Sequence, residues 1–192
     1  YAGQIAGLLE SLSIAKVRVV AHSFGGRVAV YLASHRPEMV EQMVLTGAAG
    51  IRKPLTETQK KRQARFKRMN AILNALKRLR LLRAMVERWQ AALRRRYGSA
   101  DYARLNENMR RTFSKVISQD LYPFLKDIQA PTLLVWGSED TETPLWMGEQ
   151  MEKAIPDAGL VVFEGRTHFA FIEEWQRFLT IVRQFFWGGQ TA

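Results

Sequence analysis

The segment VRVVAHSFGG, residues 17–26, decides how the rest of the chain is interpreted. Its first five residues form a short apolar run rich in valine, which is typical of a buried β-strand. A helical pattern of apolar residues begins directly after the two glycines. Ser23 therefore stands at a strand-to-helix junction, with small residues close to it on both sides.

The chemistry of such a junction explains its composition. A sharp turn lifts the serine hydroxyl above the end of the strand, and small neighbours let the strand and helix approach closely. The free N–H groups at the start of the helix point towards any anion formed beside the serine. We predict that Ser23 is a nucleophile and that the Phe24 N–H is an oxyanion donor. The residues predicted to build this nucleophile elbow are Ala21, His22, Gly25 and Gly26.

Three further apolar runs, at 43–46, 132–136 and 160–163, predict strands that alternate with helical segments. Four short strands separated by helices indicate right-handed crossovers and a parallel sheet, which is an α/β fold. The helical patterns cover residues 2–12, 27–34, 56–97, 101–118, 145–155 and 173–186.

A serine nucleophile needs a base, and the base needs a group that orients it. Asp140 follows the third strand and His168 follows the fourth, at the edge of a parallel sheet where ligands bind. His22 lies inside the elbow and is predicted to point away from the hydroxyl, and His35 lies at a helix end, where a cation suits the helix dipole. The base is therefore predicted to be His168 and the acid Asp140.

The acid loop offers two alternatives to Asp140, since Glu139 and Glu142 lie beside it. The position of Asp140 after Trp136-Gly137 and before Pro144 favours it over both glutamates. The chain order Ser, Asp, His is one of the orders in which this constellation of residues occurs.

A strongly basic segment interrupts an otherwise acidic chain. Residues 52–126 contain 21 Lys or Arg and 5 Asp or Glu, a net charge of +16, while the whole chain carries +11. This shift in composition predicts a core made of residues 1–51 and 127–192, with 52–126 as a helical insert between the second and third strands.

The charge of the insert has two interpretations. Lys and Arg cover apolar surface with their stems, so a solvated helical face is the first. A weak contact with anionic surfaces or acidic substrates is the second. The basic clusters are Lys60-Lys61-Arg62, Arg78-Leu79-Arg80 and Arg94-Arg95-Arg96, and the apolar stripe Ile72–Leu82 is predicted to line an acyl pocket.

The motifs A-H-S-F-G-G at Ser23, W-G-S-E-D-x-x-x-P at Asp140 and G-R-T-H-F at His168 resemble those of the α/β-hydrolase superfamily. The resemblance covers essentially the whole chain and is strongest to serine esterases, lipases and peroxidase-like members with a helical cap. It implies that residues 52–126 are the cap, or lid. Because the predicted nucleophile is a serine and not an aspartate, the resemblance does not imply the chemistry of the haloalkane dehalogenase and epoxide hydrolase branches.

The resemblance also implies that the chain is N-terminally truncated. Family members carry further strands before the elbow strand, and a loop there supplies the second oxyanion N–H. We therefore expect residues 17–21 to form an exposed apolar edge that favours self-association. We also expect the 192-residue form to be weakly active or inactive, because loss of one oxyanion donor typically costs about 10²–10³ in turnover.

The sequence predicts a serine hydrolase that cleaves small apolar carboxylic esters or related acyl substrates. A C–C bond hydrolase, a thioesterase or an aminopeptidase of the same fold remain open, as does a non-catalytic fragment that binds through its basic helices. The expected partner is a small acyl molecule, and no nucleic acid is expected because only the positive charge would support it.

Several function classes are not supported by the residues. The chain has no cysteine, which excludes disulfides, a cysteine nucleophile and thiolate metal sites. Its three histidines lack carboxylates at ligand spacing, and no phosphate loop or dinucleotide fingerprint is present, so no metal and no cofactor are predicted. No apolar run approaches the roughly 18 residues that a membrane helix needs, and we expect a cytoplasmic protein.

Overall fold

The computed structural model describes residues 1–52, 57–76, 85–90, 92, 115–116 and 118–188. Its sheet has four strands in the order β1-β2-β3-β4, and all neighbouring strands are parallel. The prediction of an α/β fold with a parallel sheet is confirmed. The strands are β1 Val17–His22, β2 Val40–Thr46, β3 Thr132–Gly137 and β4 Ala158–Phe163.

Helices connect and flank these strands. They are α1 Ala2–Ser11, α2 Phe24–His35, α3 Glu57–Leu76, α4 Trp146–Ala154, α5 Ala170–Glu173 and α6 Trp175–Trp187, with 3-10 helices at Pro37–Met39 and Tyr122–Asp127. The helix predicted over 173–186 differs most, because Glu174 has φ −125° and ψ 48° and separates α5 from α6. The predicted helix over 101–118 lies mostly outside the described residues.

Each face of the sheet is covered by its own apolar layer. Strands alternate their side chains between faces, so Leu45 and Leu134 pack in the layer beneath α1, α2 and α4. Val44 and Val135 point to the other face and pack with Phe178, Val182 and Phe186 of α6. The two central strands are therefore buried on both sides, as their continuous apolar sequences predict.

The first strand lies at an edge of the described sheet and leaves apolar surface exposed. Val20 is 52% exposed. Helix α1 buries Ala2 and Ala6, whereas its larger side chains Ile5 and Leu8 are exposed. A groove of about 640 Å³ runs between α1, α2 and β1. An exposed edge of this kind is consistent with the self-association expected from the sequence, which stays a prediction.

The chain divides into two compact units, Tyr1–Arg52 with Asp120–Ala192 and Lys53–Gln119. Residues 120–126, which the sequence analysis placed in the insert, belong to the first unit because Leu121 and Leu125 are fully buried in its core. That unit contains the sheet and every predicted site residue.

The second unit has a small core of its own. Leu73 and Val86 are buried there, with Phe66, Met69 and Leu76 packed against them. Ile72 is 60% exposed, so it does not join Leu73 in that core. The remaining stripe residues Leu79 and Leu82, and the clusters at 78–80 and 94–96, lie outside the described residues. In the part of the chain that is described, no helix has the length and apolar character needed to span a bilayer.

Candidate active site

Ser23 occupies a strained turn between β1 and α2. Its φ of 50° and ψ of −113° lie in a region that residues with a side chain rarely adopt. The backbone around it holds this conformation. The Ser23 N–H donates to the Thr46 carbonyl at 3.1 Å, and the Ser23 carbonyl accepts from Gly26 at 3.1 Å and Ala49 at 3.0 Å. Strain that the surroundings maintain in this way is characteristic of functional positions.

The small residues of the elbow do not contribute equally. A Cβ atom at Gly25 would lie 3.7 Å from Ala21 Cβ, which is an ordinary contact. A Cβ atom at Gly26 would lie 3.0 Å from Ala48 Cα and would overlap Ala48 Cβ. The close approach that requires glycine is therefore between α2 and the loop after β2. It occurs at Gly26, one residue after Gly25, where the elbow pattern predicts a small residue.

Phe24 is the first residue of α2, and the Phe24 N–H therefore has no acceptor within that helix. Its position next to the serine suits an oxyanion donor.

His168 and Asp140 lie together in a buried pair. The distance from His168 Nδ1 to Asp140 Oδ2 is 2.8 Å, and both residues are more than nine-tenths buried. Because a carboxylate oxygen can only accept a hydrogen bond, Nδ1 carries the proton of the neutral imidazole. Nε2 is therefore the nitrogen that can take up and release a proton. The other oxygen of Asp140 accepts the backbone N–H groups of Glu142 at 2.9 Å and Thr143 at 2.8 Å. The carboxylate is thus held in one orientation and aligns the imidazole.

Thr143 is a site residue that the sequence analysis did not single out. Its hydroxyl lies 2.8 Å from Asp140 Oδ2 and 3.0 Å from the Gly47 carbonyl, and it can donate to either. The side chain is buried and links the acid loop to the loop after β2. The only sequence signal was its place between Asp140 and Pro144, which does not specify a contact.

Hydrogen bonds connect the acid loop, which follows β3, to the loop after β4 that carries His168, the histidine loop. The Glu139 N–H donates to the Arg166 carbonyl at 2.9 Å, and the Gly165 N–H donates to the Ser138 hydroxyl at 2.8 Å. The Thr167 hydroxyl donates to Glu173. These bonds fix the position from which His168 reaches Asp140.

Gly47, at the end of β2, approaches the pair closely. It has φ +48°, and a Cβ atom there would lie 3.1 Å from His168 Nδ1 and 3.2 Å from Asp140 Oδ2. The contact of Gly47 with the pair was not predicted from the sequence.

We expect Gly47→Ala to lower kcat/KM by about tenfold to a hundredfold, because a displaced imidazole loses alignment. We also expect a loss of about 1–2 kcal/mol in the free energy of unfolding from the positive φ. Steady-state kinetics and urea unfolding measure the two effects. Gly159→Ala is the control, since a Cβ atom there meets nothing within 4 Å. A Gly47→Ala protein with unchanged kinetics would contradict the assignment.

His22 lies beside the pair, a contact that the sequence analysis did not predict. Its ring centroid lies 4.6 Å from that of His168, and Phe169 and Phe171 pack nearby. Its Nδ1 donates to the Thr46 carbonyl at 2.9 Å. Strand pairing of His22 with Thr46 turns the ring towards the histidine loop.

The environment of His22 disfavours its charged form. Burial lowers the pKa of His22 below its usual 6.5; the hydrogen bond to Thr46 opposes this, and the nearby His168 adds to it. Below pH 6.5 the unfolded chain therefore binds more protons at this residue than the folded chain does, so acid reduces stability.

We expect the free energy of unfolding to fall as the pH is lowered from 6.5, and His22→Asn to make this fall shallower. Asparagine retains a donor for the Thr46 carbonyl but cannot titrate. Urea unfolding at several pH values between 5 and 7.5 measures the slope. Equal slopes for wild type and variant would contradict this account of His22.

The structure therefore brings two of the three predicted catalytic residues into direct contact and places the third one residue from His22, which packs on His168. Among the described residues, the Ser23 hydroxyl has no hydrogen-bond partner. His35 stacks on Tyr31 with ring centroids 3.8 Å apart, and its Nδ1 lies 3.0 Å from the Tyr31 carbonyl, consistent with its structural interpretation. No cluster of metal-ligating side chains occurs within the described ranges.

Comparison with known proteins identifies the family. A family model described as the alpha/beta hydrolase fold matches residues 1–174. The chain belongs to the α/β-hydrolase fold family, as its motifs indicate.

Three relatives illustrate the similarity. The chain is 30% identical to a 2-hydroxymuconate semialdehyde hydrolase of Pseudomonas putida over 188 residues, which cover 93% of this chain and 65% of the relative. It is 31% identical over 196 residues to a 2-hydroxy-6-oxononadienedioate/2-hydroxy-6-oxononatrienedioate hydrolase of Burkholderia vietnamiensis, with 94% and 66% covered. A solved meta-cleavage product hydrolase of Pseudomonas fluorescens is 27% identical, with a TM-score of 0.62 and 97% and 70% covered.

The chain thus spans just under two thirds of the length of these two curated relatives.

Proposed function

We propose that the chain is a serine hydrolase in which Ser23 is the nucleophile, His168 the base and Asp140 the acid. The observation that carries the proposal is the buried His168–Asp140 hydrogen bond of 2.8 Å, together with the positive φ of Ser23, which directly follows the residue whose ring packs on His168. Burying a carboxylate away from water reduces the free energy of unfolding, so a buried pair of this kind favours a functional role.

The mechanism follows from the roles of the three groups. The Ser23 oxygen attacks the substrate carbonyl while Nε2 of His168 takes its proton, and the Phe24 N–H stabilises the resulting oxyanion. The imidazolium then donates that proton to the leaving group, and an acyl-serine remains. Water, deprotonated by His168, releases the acid and restores Ser23.

Small apolar esters and related acyl compounds are the first candidate substrates. The hydroxyl of Ser23 makes no hydrogen bond in the described structure, which does not weigh against this role, since such bonds often shorten only when substrate binds.

A second candidate is hydrolysis of a C–C bond beside a carbonyl group. It is favoured by the relatives at 30% and 31% identity, whose names specify hydrolases of 2-hydroxymuconate semialdehyde and of related dioates. In this reaction the same base and nucleophile would act, but the proton would go to carbon. Parallel assays with an activated ester and with 2-hydroxymuconate semialdehyde distinguish the two candidates.

Covalent labelling tests the proposal directly. A fluorophosphonate is expected to react with Ser23, and mass spectrometry of the digested protein is expected to locate the adduct on the peptide that contains it. Labelling should disappear after unfolding in urea, because only the folded site activates the hydroxyl. Absence of labelling of the folded protein, or an adduct at another serine, would contradict the proposal.

A further inference from the structure

Glu142 places a second carboxylate beside the base. Its Oε2 lies 3.6 Å from Nε2 of His168, too long for a hydrogen bond but within the range of an ion pair. Nε2 is the nitrogen opposite the Asp140 contact, and it is therefore the atom that exchanges protons in the proposed reaction. Unlike Asp140, the Glu142 side chain is 67% exposed, so it faces the solvent side of the site.

The backbone holds Glu142 in this place. Its N–H donates to Asp140 Oδ1 at 2.9 Å, so the residue that orients the imidazole also fixes the start of the Glu142 side chain. The Thr143 N–H donates to the same oxygen at 2.8 Å and continues the turn. The side chain of the nearby Glu139 is also exposed, but its backbone N–H donates to the Arg166 carbonyl and not to Asp140.

The distance from Glu142 to the substrate has an upper bound. To receive its proton, the leaving group must come within about 3.2 Å of Nε2. With Nε2 at 3.6 Å from Glu142 Oε2, the accepting atom then lies within about 7 Å of the carboxylate. A charged group a few bonds further along the leaving fragment then lies within about 11 Å of the carboxylate, where charges at low salt still interact, whereas a neutral group is little affected.

We propose that Glu142 is a specificity-determining residue that selects against negatively charged leaving fragments and favours neutral or positively charged ones. The inference rests on the proposed function, because it requires His168 to donate a proton to the leaving group. Glu142 itself transfers no proton and forms no bond to the substrate. It acts through its charge on the fragment that departs next to Nε2.

Three acetyl esters that differ in the charge of the leaving fragment test the inference. They are acetylcholine, which is cationic, its uncharged tert-butyl isostere, and the acetyl ester of hydroxypropionate, which is anionic. For wild type at low salt, we expect kcat/KM for the cationic ester to exceed that for the anionic ester by about tenfold, after correction for spontaneous hydrolysis. In about 0.5 M salt this ratio should become smaller, because the Debye length there is only about 4 Å.

Two variants and a matched control complete the test. Glu142→Gln is expected to reduce the cation-to-anion ratio several-fold, and Glu142→Lys to reverse the preference. Glu139→Gln removes an equal charge from the same loop and is expected to leave the ratio within twofold of wild type. A general effect on packing would change kcat/KM for all three esters by a similar factor. Only a change in the cation-to-anion ratio therefore reports on the charge at residue 142.

The outcomes separate the two proposals. Hydrolysis of the neutral ester with a ratio that neither Glu142 variant changes would overturn the inference and leave the proposed function intact. Failure of wild type to hydrolyse any ester, together with no phosphonate labelling, would overturn both.

Discussion

Replacement of Ser23 by alanine is expected to lower kcat to the background rate, a fall of up to about 10⁴-fold. The loss is large because the covalent route disappears with the hydroxyl, and His168 and Asp140 cannot replace it. The fold is expected to be retained, since no described residue accepts or donates a hydrogen bond at the Ser23 hydroxyl. Thermal unfolding should therefore change by no more than a few degrees.

Steady-state hydrolysis of an activated ester and labelling by the phosphonate measure this effect. Ser13→Ala is a matched control, because Ser13 is the other described residue with a side chain and a positive φ, of 55°. It lies in the turn after α1 and is expected to retain wild-type rates. A Ser23→Ala protein that keeps more than a few per cent of the wild-type kcat would rule out Ser23 as the nucleophile.

Replacement of Gly137 by alanine is expected to have the largest structural effect. Gly137 ends β3, directly before the acid loop, and a Cβ atom there would lie 2.6 Å from the Arg166 carbonyl carbon. It would lie closer still to the carbonyl oxygens of Arg166 and Thr167. These are backbone atoms of the histidine loop, so no rotation of a side chain relieves the overlap.

We expect Gly137→Ala to reduce the free energy of unfolding by about 3 kcal/mol, as overpacking against fixed atoms does. We also expect a loss of about a hundredfold in kcat/KM, because moving the histidine loop by about 1 Å separates the imidazole from its partners. Urea unfolding followed by tryptophan fluorescence gives the first quantity, since Trp136 is fully buried next to the site of the change.

The control is again Gly159→Ala, in the neighbouring strand, where the new methyl group meets open space. It is expected to leave both quantities near wild type. If Gly137→Ala were as stable and as active as Gly159→Ala, the close packing of the acid and histidine loops would be wrong. If it were unstable but fully active in mild conditions, the coupling between this packing and catalysis would be wrong.

Local patterns were sufficient to predict the sheet and the order of the site residues. Apolar runs of four or five residues separated by helical patterns predict strands, and parallel connection places their carboxyl ends together. For this reason Ser23, Asp140 and His168 could be proposed from their places after β1, β3 and β4. Strand ends were less accurate: β2 begins at Val40 and not at 43, because pairing with β1 extends it.

The surroundings of the site could not be predicted in this way, since they depend on distances between segments far apart in the chain. Thr143 and Gly47 are 96 residues apart, yet a 3.0 Å contact joins them. The sequence indicated Glu142 only as a rival to Asp140, but in the structure the two carboxylates lie at opposite nitrogens of one imidazole.

Burial also depended on tertiary structure. Ile5 and Leu8 share one side of α1, which predicts a buried face, but the described sheet ends at β1 and only Ala2 and Ala6 of that helix are buried. The contact of His22 with His168 was not predicted, because it depends on the pairing of His22 with Thr46 in the neighbouring strand.

Local patterns therefore predict the elements and their parallel order, and they suggest which groups react, because each of these inferences follows from a short stretch of residues. The other neighbours of His168, Glu142 at its second nitrogen and His22 across its face, could be found only in the folded chain. Contacts of a few ångströms depend on the paths of loops, and those paths result from the packing of the whole sheet.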